Sequence, residues 1–116
     1  MTDIKPNWVT IPQWYDGTLV GFTCKGLLRV RLNYETMFIG YGASAGGLGA
    51  RFNAYRNPKG TGQKHYAGRL IYEHRAQIQM QIAGLDLPPD KIEFWAEQLI
   101  EKRQPPWNVP PERQRR

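Results

Sequence analysis

Gly26-Leu27-Leu28-Arg29-Val30-Arg31-Leu32-Asn33-Tyr34-Glu35-Thr36-Met37-Phe38-Ile39-Gly40 is the stretch on which the fold turns. Leu28, Val30 and Leu32 alternate with Arg29 and Arg31, the period of two that marks a half-buried strand. Asn33, Tyr34 and Glu35 make a turn, and Thr36 to Gly40 reads as the returning strand, so the stretch is a hairpin. Downstream, Ala43 to Gly49 is a loop of small residues. Leu48 to Arg56 is helix-compatible, with Leu48, Phe52 and Tyr55 on one face, and Asn57-Pro58-Lys59-Gly60 ends it by turn chemistry. His65 to Arg75 is a second helical stretch. Gln77 to Ile82 alternates strictly, Ile78, Met80 and Ile82 against Gln77, Gln79 and Gln81, which predicts a strand with one wet face. Pro88-Pro89 stops the chain. Asp90 then serves as N-cap with Glu93 three residues on, the spacing of a capping box. Ile92, Trp95, Ala96 and Leu99 give the apolar stripe of a helix running to about Arg103.

Upstream, Thr18 to Thr23 reads as a short strand. Residues 1–17 carry Pro6, Pro12 and Gly17, which oppose regular structure, and Trp8, Trp14 and Tyr15, which call for packing. The expectation is an α+β domain: a small three-stranded antiparallel sheet flanked by helices, in the order β-β-α-α-β-α. Residues 1–23 form an aromatic and proline-rich extension, 24–110 the domain, and 111–116 a basic disordered tail.

A chain of 116 residues makes one domain. No run of apolar residues reaches the length of a membrane span, and Met1-Thr2-Asp3-Ile4-Lys5-Pro6 is not a signal peptide. A single cysteine, Cys24, excludes a disulfide scaffold and a cysteine-rich zinc site, and it points to a reducing, cytoplasmic compartment. His65 and His74, nine apart with no acid at ligand spacing, make no metal pair.

Sixteen Lys and Arg against ten Asp and Glu give a formal charge of +6, a balance that favours a polyanionic partner. The charge is unevenly placed. Between Glu35 and Glu73 there is no acid, while Arg51, Arg56, Lys59, Lys64 and Arg69 all fall there, among glycines and the aromatics Phe52, Tyr55 and Tyr66. Cations neutralise phosphates and glycines let a backbone approach a ligand, so Arg56, Lys59, Lys64, His65 and Arg69 are the candidate nucleic-acid contacts. Lys102, Arg103, Arg113, Arg115 and Arg116 form a second cluster at the end of the chain.

Gly26-Leu27-Leu28, Phe38-Ile39-Gly40, Arg51 on the following helix, Glu97 on the last helix and Pro106-Trp107-Asn108 after it form an ordered set. This set resembles the GIY-YIG nuclease superfamily over roughly residues 24–110. Leu28 and Phe38 stand ten apart, at the positions of the family's two tyrosines, and Gly26 and Gly40 at its glycines. Gly49-Ala50-Arg51-Phe52-Asn53-Ala54-Tyr55 is similar to the family's arginine helix. The resemblance implies phosphodiester hydrolysis of DNA, RNA being open, with one Mg²⁺ or Mn²⁺ on Glu97. It also implies that Arg51 clamps a phosphate oxygen, Tyr55 assists near the water or phosphate, and Asn108 orients the site. Leucine and phenylalanine cannot accept a proton, so Tyr41, directly after Gly40, is a candidate replacement for the missing tyrosines, with Tyr34, His65 and Tyr66 also close in sequence to the site. Three functions follow from these readings: a small endonuclease; a member that binds nucleic acid or acts as an inhibitory or accessory factor, as small phage proteins do, without cutting; and a protein-interaction module docking through residues 1–17.

Overall fold

The hairpin closes on Asn33 and Tyr34, which both take positive φ, 53° and 66°. This is the primed turn whose twist matches that of the flanking strands. Arg31 Nη2 donates to the Tyr34 carbonyl at 2.6 Å and fixes it. The computed structural model describes residues 5–16, 23–57 and 65–108. In it the hairpin strands are β2 (Gly26–Leu32) and β3 (Glu35–Gly42), preceded by a short strand, β1 (Val9–Thr10). After them come α1 (Gly47–Arg56), α2 (Tyr66–Glu73), β4 (Gln79–Gly84) and α3 (Pro89–Arg103). Leu28 lies opposite Gly40 and Val30 opposite Phe38, and Met37 is the extra residue of a bulge.

The sheet is antiparallel and has four strands, in the order β1-β4-β2-β3, rather than the three expected. The added strand is β1, which pairs Val9 with Ile82 and Thr10 with Gln81. Two exposed residues carry no alternation to read, and long-range pairing alone makes them a strand. Ile11 N–H continues the pairing to the Met80 carbonyl at 2.8 Å. Part of the stretch expected as an extension thus joins the sheet, and Trp14, 3% exposed, belongs to the core.

The two sheet faces are covered differently. Leu28, Val30, Phe38, Met80 and Ile82 pack beneath Leu48, Phe52 and Tyr55 of α1 and Ile71 of α2. Leu27 and Ala83, on the opposite face, pack beneath Ile92 and Ala96 of α3. The face expected to be wet is therefore partly covered. Gln81 is only 8% exposed. Its Oε1 accepts from Arg29 Nε at 2.8 Å and its Nε2 donates to Thr10 Oγ1 at 3.2 Å, so the buried amide is satisfied at both ends.

The small-residue loop is explained at Gly47. Its φ is +59°, and a Cβ there would stand 2.3 Å from the Thr23 carbonyl oxygen. Only glycine lets α1 start this close to the strand entry, where Leu48 N–H donates to the Cys24 carbonyl at 2.8 Å. The expected capping box does not form. Pro88 occupies the N-cap, Pro89 is the first helical residue, and no side chain caps the end. Proline needs no N–H partner at that position. Asp90 falls within the first turn, and Glu93 is left for other work.

After α3, the chain turns at Gln104, which takes the left-handed conformation (φ 51°), and runs along the edge of β3. Trp107 N–H donates to the Met37 carbonyl at 2.8 Å. Covering an edge strand in this way removes a row of open hydrogen-bonding groups. The expected turn at Asn57-Pro58-Lys59-Gly60, the strand over 18–23 and the tail fall wholly or largely outside the described residues. Among those residues, no helix is long and apolar enough to cross a membrane.

Candidate functional site

Tyr41 is the meeting point. It lies on β3 and packs against the cluster that α3 covers, where the Glu93 carboxylate acts on its hydroxyl. Glu97, one turn further along α3, and Arg51, from α1, also act on it electrostatically. Burial, then the negative charges of Glu93 and Glu97, hold the Tyr41 hydroxyl above the usual phenol value, and Arg51 pulls the other way. Four residues separate the end of β3 from the start of α1, the helix that carries Arg51. The arginine and the glutamate that the sequence singled out therefore flank one tyrosine.

Arg51 also borders a cleft of about 350 Å³ between α1 and the start of α2. Phe38, Tyr55 and Trp107, all largely buried, supply rings to it, and His65 and Asn108 border it. Arg51 is exposed and held in place from its own helix: Nη2 donates to Tyr55 Oη at 3.1 Å, and the guanidinium stands 5.5 Å from the Tyr55 ring centre. Burial raises the Tyr55 hydroxyl against the opposing pull of Arg51. Tyr55 thus positions the arginine, and its 3% exposure leaves it little access to water.

Asn108, expected to orient the site by hydrogen bonding, bonds the backbone of β3. Its Oδ1 accepts from Ile39 N–H and its Nδ2 donates to the Ile39 carbonyl, both at 2.9 Å. The amide mimics a neighbouring strand and so orients β3, while Asn108 also borders the cleft. Asn108→Ala leaves an Ile39 N–H and carbonyl without these partners and is expected to lower stability by about 1–3 kcal/mol. Urea unfolding measures this, and an unchanged midpoint would show the pairing to be idle.

The other expected positions divide. Leu28, 0% exposed, lies in the core and does not border the cleft, whereas Phe38 does. Gly26 opens β2 opposite Gly42 and Gly84, and Gly40 faces Leu28 across the hairpin. Arg56 is half-buried and donates from Nη1 to the Trp14 carbonyl at 3.3 Å, tying α1 to the N-terminal stretch. Arg69 is exposed on α2, and Lys59 and Lys64 lie outside the described residues. Glu93 was missed: assigned to a capping box, it acts on the Tyr41 hydroxyl instead. Its i,i+4 spacing from Glu97 is the signal that reveals it.

Glu97 and Glu93 are exposed carboxylates on one helix, and no cluster of three or more His, Cys, Asp or Glu able to hold a metal occurs among the described residues. One or two carboxylates and open water suit a hard ion such as Mg²⁺ or Mn²⁺, which keeps much of its hydration shell, and do not suit zinc. Neither a protein-family model, nor a curated protein, nor a solved structure matches this chain.

Proposed function

We propose that the chain is a metal-dependent DNA endonuclease of GIY-YIG-like design, with its proton-handling tyrosine moved to position 41. The observation that carries this reading is the convergence of Arg51, Glu93 and Glu97 on Tyr41. The succession β2, β3, α1, α2, β4 and α3 along the chain supports this reading, with β1 as a fourth strand preceding them. Arg51 clamps a non-bridging phosphate oxygen as charge builds there. Tyr55 holds the guanidinium fork. As water attacks phosphorus, its proton passes to the Tyr41 oxygen while the Tyr41 proton passes to Glu93, and the bond from phosphorus to the leaving oxygen breaks. Glu97 would hold the Mg²⁺ or Mn²⁺, which when bound supplies charge stabilisation for the leaving oxygen. Leucine and phenylalanine at the two tyrosine positions leave the proton transfer to Tyr41, and losing such a general base typically costs about 10²–10⁴ in rate.

A second reading is a member that binds nucleic acid, or serves as an inhibitory or accessory factor, without cutting it. Its support is Leu28, sealed in the core where the family has a reactive side chain. The protein-docking reading is weakened because Trp14 of its proposed arm is in the core. Nicking of supercoiled plasmid by the purified chain separates these. The endonuclease reading expects nicking in MgCl₂ or MnCl₂ that EDTA abolishes and Glu97→Ala removes. DNA binding without nicking would assign the second reading, and nicking that survives Glu97→Ala would overturn the proposed site.

A further inference from the structure

We infer that the hollow between the N-terminal stretch, β2 and the last turn of α3 binds a phosphoryl anion. Lys5, Arg29, Lys102 and Arg103 converge on this hollow of about 370 Å³, with Trp8 and Leu99 in its wall. No carboxylate lines it among the described residues. Glu35 borders the adjoining hollow, which Arg29 and Arg103 share with Arg31.

Arg29 is the built part of the site. Its Nε is fixed by Gln81 at 2.8 Å, and Trp8 lies over the guanidinium at 4.5 Å from the ring centre. The fork is therefore held at one edge and on one face, and among the described residues no side chain or carbonyl takes its Nη groups. Its surroundings are of one sign: burial, then Arg31, then Arg103, lower the Arg29 pKa to about 10. A half-desolvated cation among cations is an unfavourable arrangement, and a phosphoryl group of two negative charges relieves it. The hydrogen-bond geometry of a guanidinium matches phosphate oxygens in pairs, and a concave seat with several cations suits a phosphomonoester or pyrophosphate better than a single backbone phosphodiester. The group has two sources: the 5′-phosphate of a nucleic-acid strand, or a free polyphosphate. This site lies apart from the proposed cleavage residues and does not rest on that reading.

The test is a ¹⁵N-NMR titration of the full chain with sodium pyrophosphate. Saturable shifts are expected at the Arg29 Nε–H and the Trp8 indole N–H. Arg29→Met weakens binding by about 10- to 100-fold, the loss of a charge-assisted contact. Arg103→Ala, at an exposed position whose change leaves the fold intact, weakens it in the same direction. In a second arm, tighter binding of a 5′-phosphorylated single strand than of its 5′-hydroxyl twin assigns the site to strand ends. Equal binding of the two strands beside saturable pyrophosphate shifts assigns it to a free polyphosphate. Linear, non-saturating shifts, or saturation unchanged in both variants, would overturn the inference.

Discussion

Arg51→Ala lowers the metal-dependent nicking rate by about 10²–10³-fold, the usual loss when one fixed donor aimed at a developing negative charge is removed. The fold is expected to survive, because Arg51 is exposed and its hydrogen bond to Tyr55 joins residues of one helix. A change of stability within about 0.5–1 kcal/mol is therefore expected beside the large change in rate. The pairing of these two measurements matters. A rate loss that tracked unfolding would place Arg51 among structural residues, and nicking at the wild-type rate would remove it from the chemistry.

Leu28→Tyr is expected to damage the protein and restore nothing. Position 28 is where the resemblance calls for a tyrosine, yet Leu28 is fully enclosed by a core that includes Val30, Phe38, Phe52 and Ile82. Overpacking there costs about 1–3 kcal/mol, and a hydroxyl buried without a partner costs about 1–3 kcal/mol more. The melting temperature should fall by roughly 10 °C or more, with no gain in nicking. A variant that melted like the wild type and cut faster would show that position 28 opens onto the reacting groups and that Tyr41 has not taken over the task.

The contrast between these two positions shows how far the sequence could be read. Alternation in Leu28, Val30 and Leu32 and the turn at Asn33 and Tyr34 identified the hairpin, because strand period and turn chemistry are local properties. The buried stripe of α1, Leu48, Phe52 and Tyr55, was legible for the same reason. Strand β1 was not, since Val9 and Thr10 owe their conformation to Ile82 and Gln81, more than seventy residues away. Arg29 and Gln81 alternate like solvent-facing residues, and nothing local tells that α3 and Trp8 come to lie over that face and leave each needing the other.

The site was half legible. Arg51 and Glu97 came from the ordered set of motifs, and both act electrostatically on Tyr41. Glu93 was hidden by a plausible local role, the capping box, which Pro88 displaced by starting the helix earlier. Asn108 was visible as a residue but not as a function, because its two hydrogen bonds span the 69 positions back to Ile39. Local chemistry names the residue types, and only the pairing of distant segments decides which of them face one another.

Paramagnetic broadening by Mn²⁺ in ¹⁵N spectra of the full chain tests the shared site without relying on turnover. Substoichiometric Mn²⁺ should broaden the amides of Glu93 and Glu97 first, then Tyr41 and Arg51, and Glu97→Ala should abolish the effect. Broadening that spares Tyr41 and Arg51, or that falls equally on Asp86, Asp90 and Glu101, would contradict it.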